Sequence, residues 1–210
     1  MPERYQWQGG LVTLGIEARA LESAAEGGVT LSERRVAAQL AIRGDAGNET
    51  FSKGVARVLG VALPVTPKTA HSKGTTALLW LGPDEWLAVR AGQHDAESGD
   101  DLAGALAEAL ADTHHAVVDV SHSRVAIGLD GPNARDVLMK GTNIDLHPRA
   151  FAAGNCIQAH LGRCHMLLHQ IDDDPRYDVY IHRSFAVYAW NWLCDAGAEY
   201  GLVIRGAPGR

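Results

Sequence analysis

The sequence predicts an α+β fold: a single compact chain made of two pseudo-repeated βαββα units. Three observations carry this expectation. Runs with the period of two of a strand alternate with runs that place apolar residues at i, i+3, i+4 and i+7, as a helix face does. Gly, Pro, Asn and Asp fall at the junctions. The order of elements then recurs. "LAIRGDAG" is echoed by "VAIGLDGP", which aligns Ile42 with Ile127, and "GPDEWLAV" is echoed by "DPRYDVYI", which aligns Pro83 with Pro175. A chain of 210 residues buries about 70% of its unfolded surface and folds without staples.

Residues 1–34 read as an N-terminal arm with some helix in "LGIEARALESAAEGG". Residues 35–113 form the first half. "RVAAQLAIRG" reads as a strand. "NETFSKGVARVLG" reads as a helix: Asn48 caps it, Phe51, Val55, Val58 and Leu59 make its stripe, and Gly60 ends it. A polar loop through "PKTAHSKG" precedes two strands, "TALLWL" and "EWLAVRA", joined by a turn at Gly82-Pro83-Asp84. "DDLAGALAEALAD" is a helix facing inward through Leu102, Leu106 and Leu110, with Asp100 and Asp101 at its dipole-favoured start. Residues 114–202 form the second half. "HAVVDVSHSRVAIGLDG" supplies one or two strands, and "GPNARDVLMKG" a helix with Pro132 at its first position and Ala134, Val137 and Leu138 inward. "NCIQAHLG", "CHMLLHQI" and "YDVYIHRS" read as strands, "SFAVYAWNWLCDAGAEYG" as the closing helix, and residues 203–210 as a tail.

Composition narrows the function classes. The net charge is −6, with no Lys/Arg stripe, which argues against nucleic acid. Three cysteines at irregular spacing suit a reducing cytoplasm better than a disulfide framework. "MPERYQWQGG" lacks the apolar region of a signal peptide, and no run of about 18 apolar residues is present, so no membrane partner is expected.

Two clusters carry residue types that do chemistry. "DVSH" puts Asp119, Ser121 and His122 within four residues. On a strand, however, Asp119 and Ser121 share one face and His122 takes the other, and a triad needs its base within about 3 Å of the nucleophile. No G-x-S-x-G elbow surrounds Ser121. The favoured reading is a polar strand end whose side chains bind nearby backbone. "CIQAHLGRCHMLLH" holds Cys156, His160, Cys164, His165 and His169, residue types that suit zinc. Strand alternation pairs Cys156 with His160 and His165 with His169, but no metal knuckle spacing is present, and strand-borne surface and core residues are the favoured reading. No phosphate loop occurs, and Pro132 removes an N–H that a phosphate cradle at "GLDGPNARD" would use. No catalytic, cofactor or metal residue is therefore assigned.

The last helix is apolar nearly all round. Phe185, Tyr188, Ala189, Trp192, Leu193 and Ala196 form a broad stripe, with Val187, Trp190 and Cys194 on the far side. Such a helix is either a core helix with one surface Trp, or packs on another subunit through Val187, Trp190 and Cys194.

The runs "WLGPDEWLAV", "DVSHSRVAIGLDGPNARDVLMKGTNIDLHPRAF" and "YDVYIHRSFAVYAWNWLCDAG" recur in the order and spacing of the gamma subunit of heterotetrameric sarcosine oxidase, and the chain resembles that family from about residue 35 onward. The "DVSH…L-x-GP-x-A" piece also resembles the folate-binding fold of glycine cleavage aminomethyltransferase. The resemblance implies a non-catalytic subunit of an oxidoreductase that demethylates sarcosine to glycine, with hydrogen peroxide and formaldehyde or 5,10-methylenetetrahydrofolate as products. It implies alpha, beta and delta partners holding FAD, FMN, NAD, tetrahydrofolate and zinc, with no cofactor bound by this chain. Where the aminomethyltransferase has an "ERGG-x-x-DD"-type segment, this sequence has "GNCIQAHLGRCHMLLHQI", so no folate-binding residue carries over. A free-standing folate or one-carbon binding protein of the same fold is the alternative, and an unrelated scaffold domain a third reading.

Overall fold

The structure, a computed structural model, describes residues 9–92 and 98–206. The expectations at residues 1–8, at the side chain of Asp100 and at 207–210 lie outside the described residues. Two units of the same order follow one another. The first is β2 (Val36–Gly44), α2 (Glu49–Leu59), a meander of β3 (Ala70–Lys73), β4 (Thr76–Gly82) and β5 (Glu85–Ala91), and α3 (Ser98–Ala109). The second is β7 (Arg124–Asp130), α4 (Ala134–Met139), a meander of β8 (Cys156–Leu161), β9 (Cys164–Asp172) and β10 (Arg176–His182), and α5 (Ala186–Gly197). The repeat is thus βαβββα. The extra strand of the first unit, β3, lies in what reads as a polar loop, because three of its four side chains are exposed.

Each unit builds one sheet, and the spatial orders match. The first sheet runs β3-β4-β5-β2-β6, with β6 at His115–Asp119; the second runs β11-β1-β7-β10-β9-β8, with β1 at Val29–Arg34 and β11 at Leu202–Arg205. In both, the meander's last strand pairs antiparallel with the first strand of its unit. Three boundaries differ from the sequence reading. Residues 29–34, assigned to the arm, form β1, which pairs antiparallel with β7 and parallel with β11. The tail assignment cuts through β11. β6, counted with the second half, pairs with β2 in the first sheet. These strands are recruited by long-range pairing, for which a single-residue alternation count holds no information.

The two sheets pack face to face with helices outside. Phe51, Val55 and Leu59 of α2 and Leu102 and Leu106 of α3 pack on Leu40, Ile42, Leu78 and Trp86 of the first sheet. The Asn48 side chain caps α2 by accepting the N–H groups of Thr50 and Phe51, and Gly60 ends it in the left-handed conformation. On the far side, α4, α5 and α1 (Ile16–Glu22) cover the second sheet through Ile16, Ala134, Val137, Leu138, Ala189, Trp190 and Leu193, packed on Leu31, Ile127, Val179 and Ile181. Asn133, not Pro132, is the N-cap of α4, which places Pro132 before the helix. Between the sheets, Ala70, Leu79, Leu87 and Val89 meet Ala126, Leu167, Tyr180 and Cys156. At one corner the equivalent edge strands β3 and β8 are stitched together: Cys156 N–H donates to the Lys68 carbonyl at 2.9 Å, and Ala70 N–H to the Gly154 carbonyl at 2.7 Å.

Candidate functional site

The "DVSH" segment leaves β6 at Asp119 and turns before β7 begins at Arg124, so its side chains do not alternate as a strand's would. Asp119 Oδ1 accepts the Ser121 N–H at 2.8 Å, the signature of an Asx turn. Ser121 Oγ accepts the Gln39 N–H at 2.9 Å, and the Val120 N–H donates to the Gln39 carbonyl at 2.8 Å. The Ser121 hydroxyl is buried and committed to the backbone of β2, which gives it a structural task. This agrees with the favoured sequence reading, although a turn and not a strand end carries it.

The Cys/His set lies on the β8–β9 hairpin, in register pairs Cys156–His169, His160–His165 and Leu161–Cys164. Alternation divides it. Cys164 faces the helix side, inside the outer core. Cys156 and His169 face the seam between the sheets. His160 and His165 are on the same face as that pair but at the exposed end of the hairpin, about 13 Å further along the strand. Among the described residues no group of three or more His, Cys, Asp or Glu could hold a metal ion. The Cys156 thiol donates to the Thr69 carbonyl at 3.2 Å, and burial pushes it up to about 11, far from the range of a reactive thiolate.

A polar row that no sequence motif marks crosses the second sheet on its inner face. Asp178 of β10 stands in register beside His169 of β9 and Gly128 of β7, and Gly128 beside Ser32 of β1. Arg34 reaches across Gly128, donating from Nε to Asp178 at 2.9 Å and from Nη2 to Asp130 at 2.7 Å. A Cβ at position 128 would stand 2.4 Å from the guanidinium, so a side chain there would push Arg34 out of this position. Burial raises the Asp130 carboxyl above its usual range, opposed by Arg34, and burial lowers the His169 imidazole, opposed by Asp178. Tyr180, fully buried, is pushed well above its ordinary value first by burial and then by Asp178. The sequence signal for this row was thin: one carboxylate at an inward position of the strand "YDVYIH", opposite a glycine. Its key cation, Arg34, falls in the segment read as an arm.

α5 presents different faces from those expected. Trp190 is 0% exposed and packs in its own chain's outer core, which removes it from any partner surface. Ala186, Ala189, Leu193 and Gly197 are buried with it, spaced i, i+3, i+7 and i+11. Cys194 is half-buried and within 3.7 Å of Arg19 of α1. Val187 is exposed, together with Phe185 and Tyr188 of the broad stripe. The apolar all-round pattern hid which face is buried: it is the one that carries Ala186, Ala189, Trp190, Leu193 and Gly197.

With this geometry in place, comparison with known proteins decides the family. The model of the sarcosine oxidase, gamma subunit family matches residues 43–199. The chain belongs to that family. It is 37% identical over 185 residues to the sarcosine oxidase subunit gamma of Corynebacterium sp. strain P-1, covering 88% of this chain and 87% of the relative. The fold superposes with a TM-score of 0.80 and 30% identity on a chain of heterotetrameric sarcosine oxidase from Corynebacterium sp. U-96, solved in complex with pyrrole 2-carboxylate, and covers 93% of this chain and 96% of that one. The glycine cleavage aminomethyltransferase T of Bartonella henselae shares the fold at a TM-score of 0.59 and 15% identity, over 92% of this chain and 51% of that enzyme. The gamma-family chain is therefore an aminomethyltransferase-like α+β fold spanning about half of that enzyme. Among the described residues no helix is long and apolar enough to cross a membrane.

Proposed function

We propose that this chain is the non-catalytic structural gamma subunit of a heterotetrameric sarcosine oxidase, assembled with alpha, beta and delta subunits in the cytoplasm. The complex demethylates sarcosine to glycine, with oxygen reduced to hydrogen peroxide and the one-carbon unit leaving as formaldehyde or 5,10-methylenetetrahydrofolate. In this reading FAD, FMN, NAD, tetrahydrofolate and zinc reside in the other subunits. The observation that carries it is the end-to-end match to a chain of that complex, 93% of this chain on 96% of the other. Two local facts support a structural role: the Ser121 hydroxyl is spent on the backbone of β2, and the Cys156 thiol is held protonated by burial. The partner face we favour is the outer edge of α5 at Phe185, Val187 and Tyr188, where apolar side chains stay exposed.

Co-purification tests the reading. The tagged chain, expressed in its native host, is expected to elute as a yellow complex with two large flavin- and nucleotide-binding subunits and a small zinc subunit, identified by mass spectrometry. A colourless, lone, folded chain that binds a reduced folate at micromolar concentration would replace it with the free-standing one-carbon binder.

A further inference from the structure

His160 and His165 stand directly opposite each other on β8 and β9, both exposed, with ring centres 4.2 Å apart and planes tilted by 41°. The hairpin accounts for the proximity. Leu161 and Cys164 close a two-residue turn at Gly162-Arg163, with Gly162 at φ 57°. In such a hairpin the closing pair exchanges hydrogen bonds, so the next pair outward is the narrow, non-hydrogen-bonded kind, with Cα atoms about 4.5 Å apart. The turn is also held from outside. The Gly162 N–H donates to the Gly141 carbonyl at 2.8 Å, and the Arg163 N–H to the Tyr188 hydroxyl at 3.1 Å. The two imidazoles therefore project from a hairpin anchored to α5 and to the end of α4.

We propose that His160 and His165 chelate one divalent transition-metal ion of the copper(II) class, with water in the remaining positions. An imidazole nitrogen binds such an ion at about 2.0 Å, which puts each ring centre about 3.2 Å from the metal. Two rings at right angles around a tetragonal ion then have centres about 4.5 Å apart, against about 5.2 Å around a tetrahedral one. The 4.2 Å of the structure is close to the first value, so the ring centres need hardly move apart. Tetragonal geometry and the order of divalent affinities both place copper(II) and nickel(II) ahead of zinc. Cys156 and His169 belong to the buried seam and Cys164 to the opposite face, so the site is the two imidazoles alone. It is a separate property from the subunit reading and stands or falls apart from it.

The test is titration of the full-length chain with copper(II) chloride in a non-coordinating buffer, followed by electron paramagnetic resonance and calorimetry. The first equivalent is expected to show coupling to two nitrogens and to bind more tightly than zinc. His160→Ala and His165→Ala should each weaken that first equivalent by roughly a hundredfold, the gain from joining two donors on one scaffold. Both side chains are exposed, so circular dichroism should be unchanged in either variant. His114→Ala and His115→Ala should leave the first equivalent as it is. Unchanged first-equivalent binding in His160→Ala or in His165→Ala, a one-nitrogen signature in the wild-type chain, or loss of the site in the His114 or His115 variant overturns the assignment.

Discussion

The two βαβββα repeats share a plan but are closed and anchored differently. Each has one fully buried tryptophan in its outer core, Trp86 on β5 in the first and Trp190 on α5 in the second. Trp86 donates its indole N–H to the Pro64 carbonyl at 2.7 Å, whereas the Trp190 indole nitrogen has no partner among the described residues. The first sheet is made of one contiguous stretch and ends at β6. The second takes β1 from before the first repeat and β11 from after α5, and adds a parallel pair that the first sheet lacks. A duplicated unit can thus keep its internal strand order while its edges are finished by whatever chain is at hand. The edges, not the repeat, distinguish the halves.

Truncating either tryptophan should break the chain most. Trp86→Ala and Trp190→Ala should each cost about 3–5 kcal/mol in denaturant unfolding of the isolated chain. Because the two lie in separate outer cores, the double variant should cost close to the sum. A Trp190→Ala chain with wild-type stability would return Trp190 to a partner surface. Next is the polar row of the second sheet. Arg34→Met strands Asp130 and Asp178, whose side chains are 23% and 17% exposed, and should cost about 2–3 kcal/mol by the same measurement.

Conservative changes sharpen the contrast between the tryptophans. Trp86→Phe leaves the Pro64 carbonyl unpaired and should cost about 1–2 kcal/mol more than Trp190→Phe, which removes an indole N–H that had no partner. Ser121→Ala removes the acceptor of the Gln39 N–H and should cost about 1 kcal/mol, with the turnover of the assembled oxidase unchanged. A loss of turnover without loss of assembly would give Ser121 a chemical role after all.

The smallest effect is a pH slope. Burial holds His169 below the ordinary histidine value of about 6.5, with Asp178 opposing. As pH falls through 6.5 the unfolded chain takes up a proton that folded His169 refuses. The unfolded state then binds more protons, so this stabilisation is complete above that pH and declines below it. His169→Gln should flatten the stability profile just below about pH 6.5, and an unaltered slope would assign the acid loss to other groups.

Much of the repeat was legible because it is local. The Asn48 cap and Gly60 stop of α2, the turn at Gly82-Pro83-Asp84 and the inward Ala134, Val137 and Leu138 of α4 all follow from short-range spacing. One echo was in phase: Ile42 and Ile127 both face the outer helices. The other was one residue out. Ile42 pairs with Trp86 and Ile127 with Val179, so Trp86 corresponds to Val179, whereas aligning Pro83 with Pro175 sets it against Asp178 on the opposite face. With a side-chain period of two, a slip of one exchanges core for seam.

The candidate sites divide in the same way. That the "DVSH" side chains bind nearby backbone could be argued from their residue types, although a turn and not the expected strand carries them. That Arg34 meets Asp130 and Asp178, or that His160 meets His165 while Cys164 turns away, could not. By itself the sequence determined the alternation of strands and helices, the caps and turns, and the family's sequence signature, because each rests on residues within a few positions of one another. The tertiary structure alone decided which sheet recruits β1, β6 and β11, which face of α5 is buried, and which polar groups converge. Those outcomes depend on strand register and packing between residues far apart in the chain, for which no local pattern carries the information.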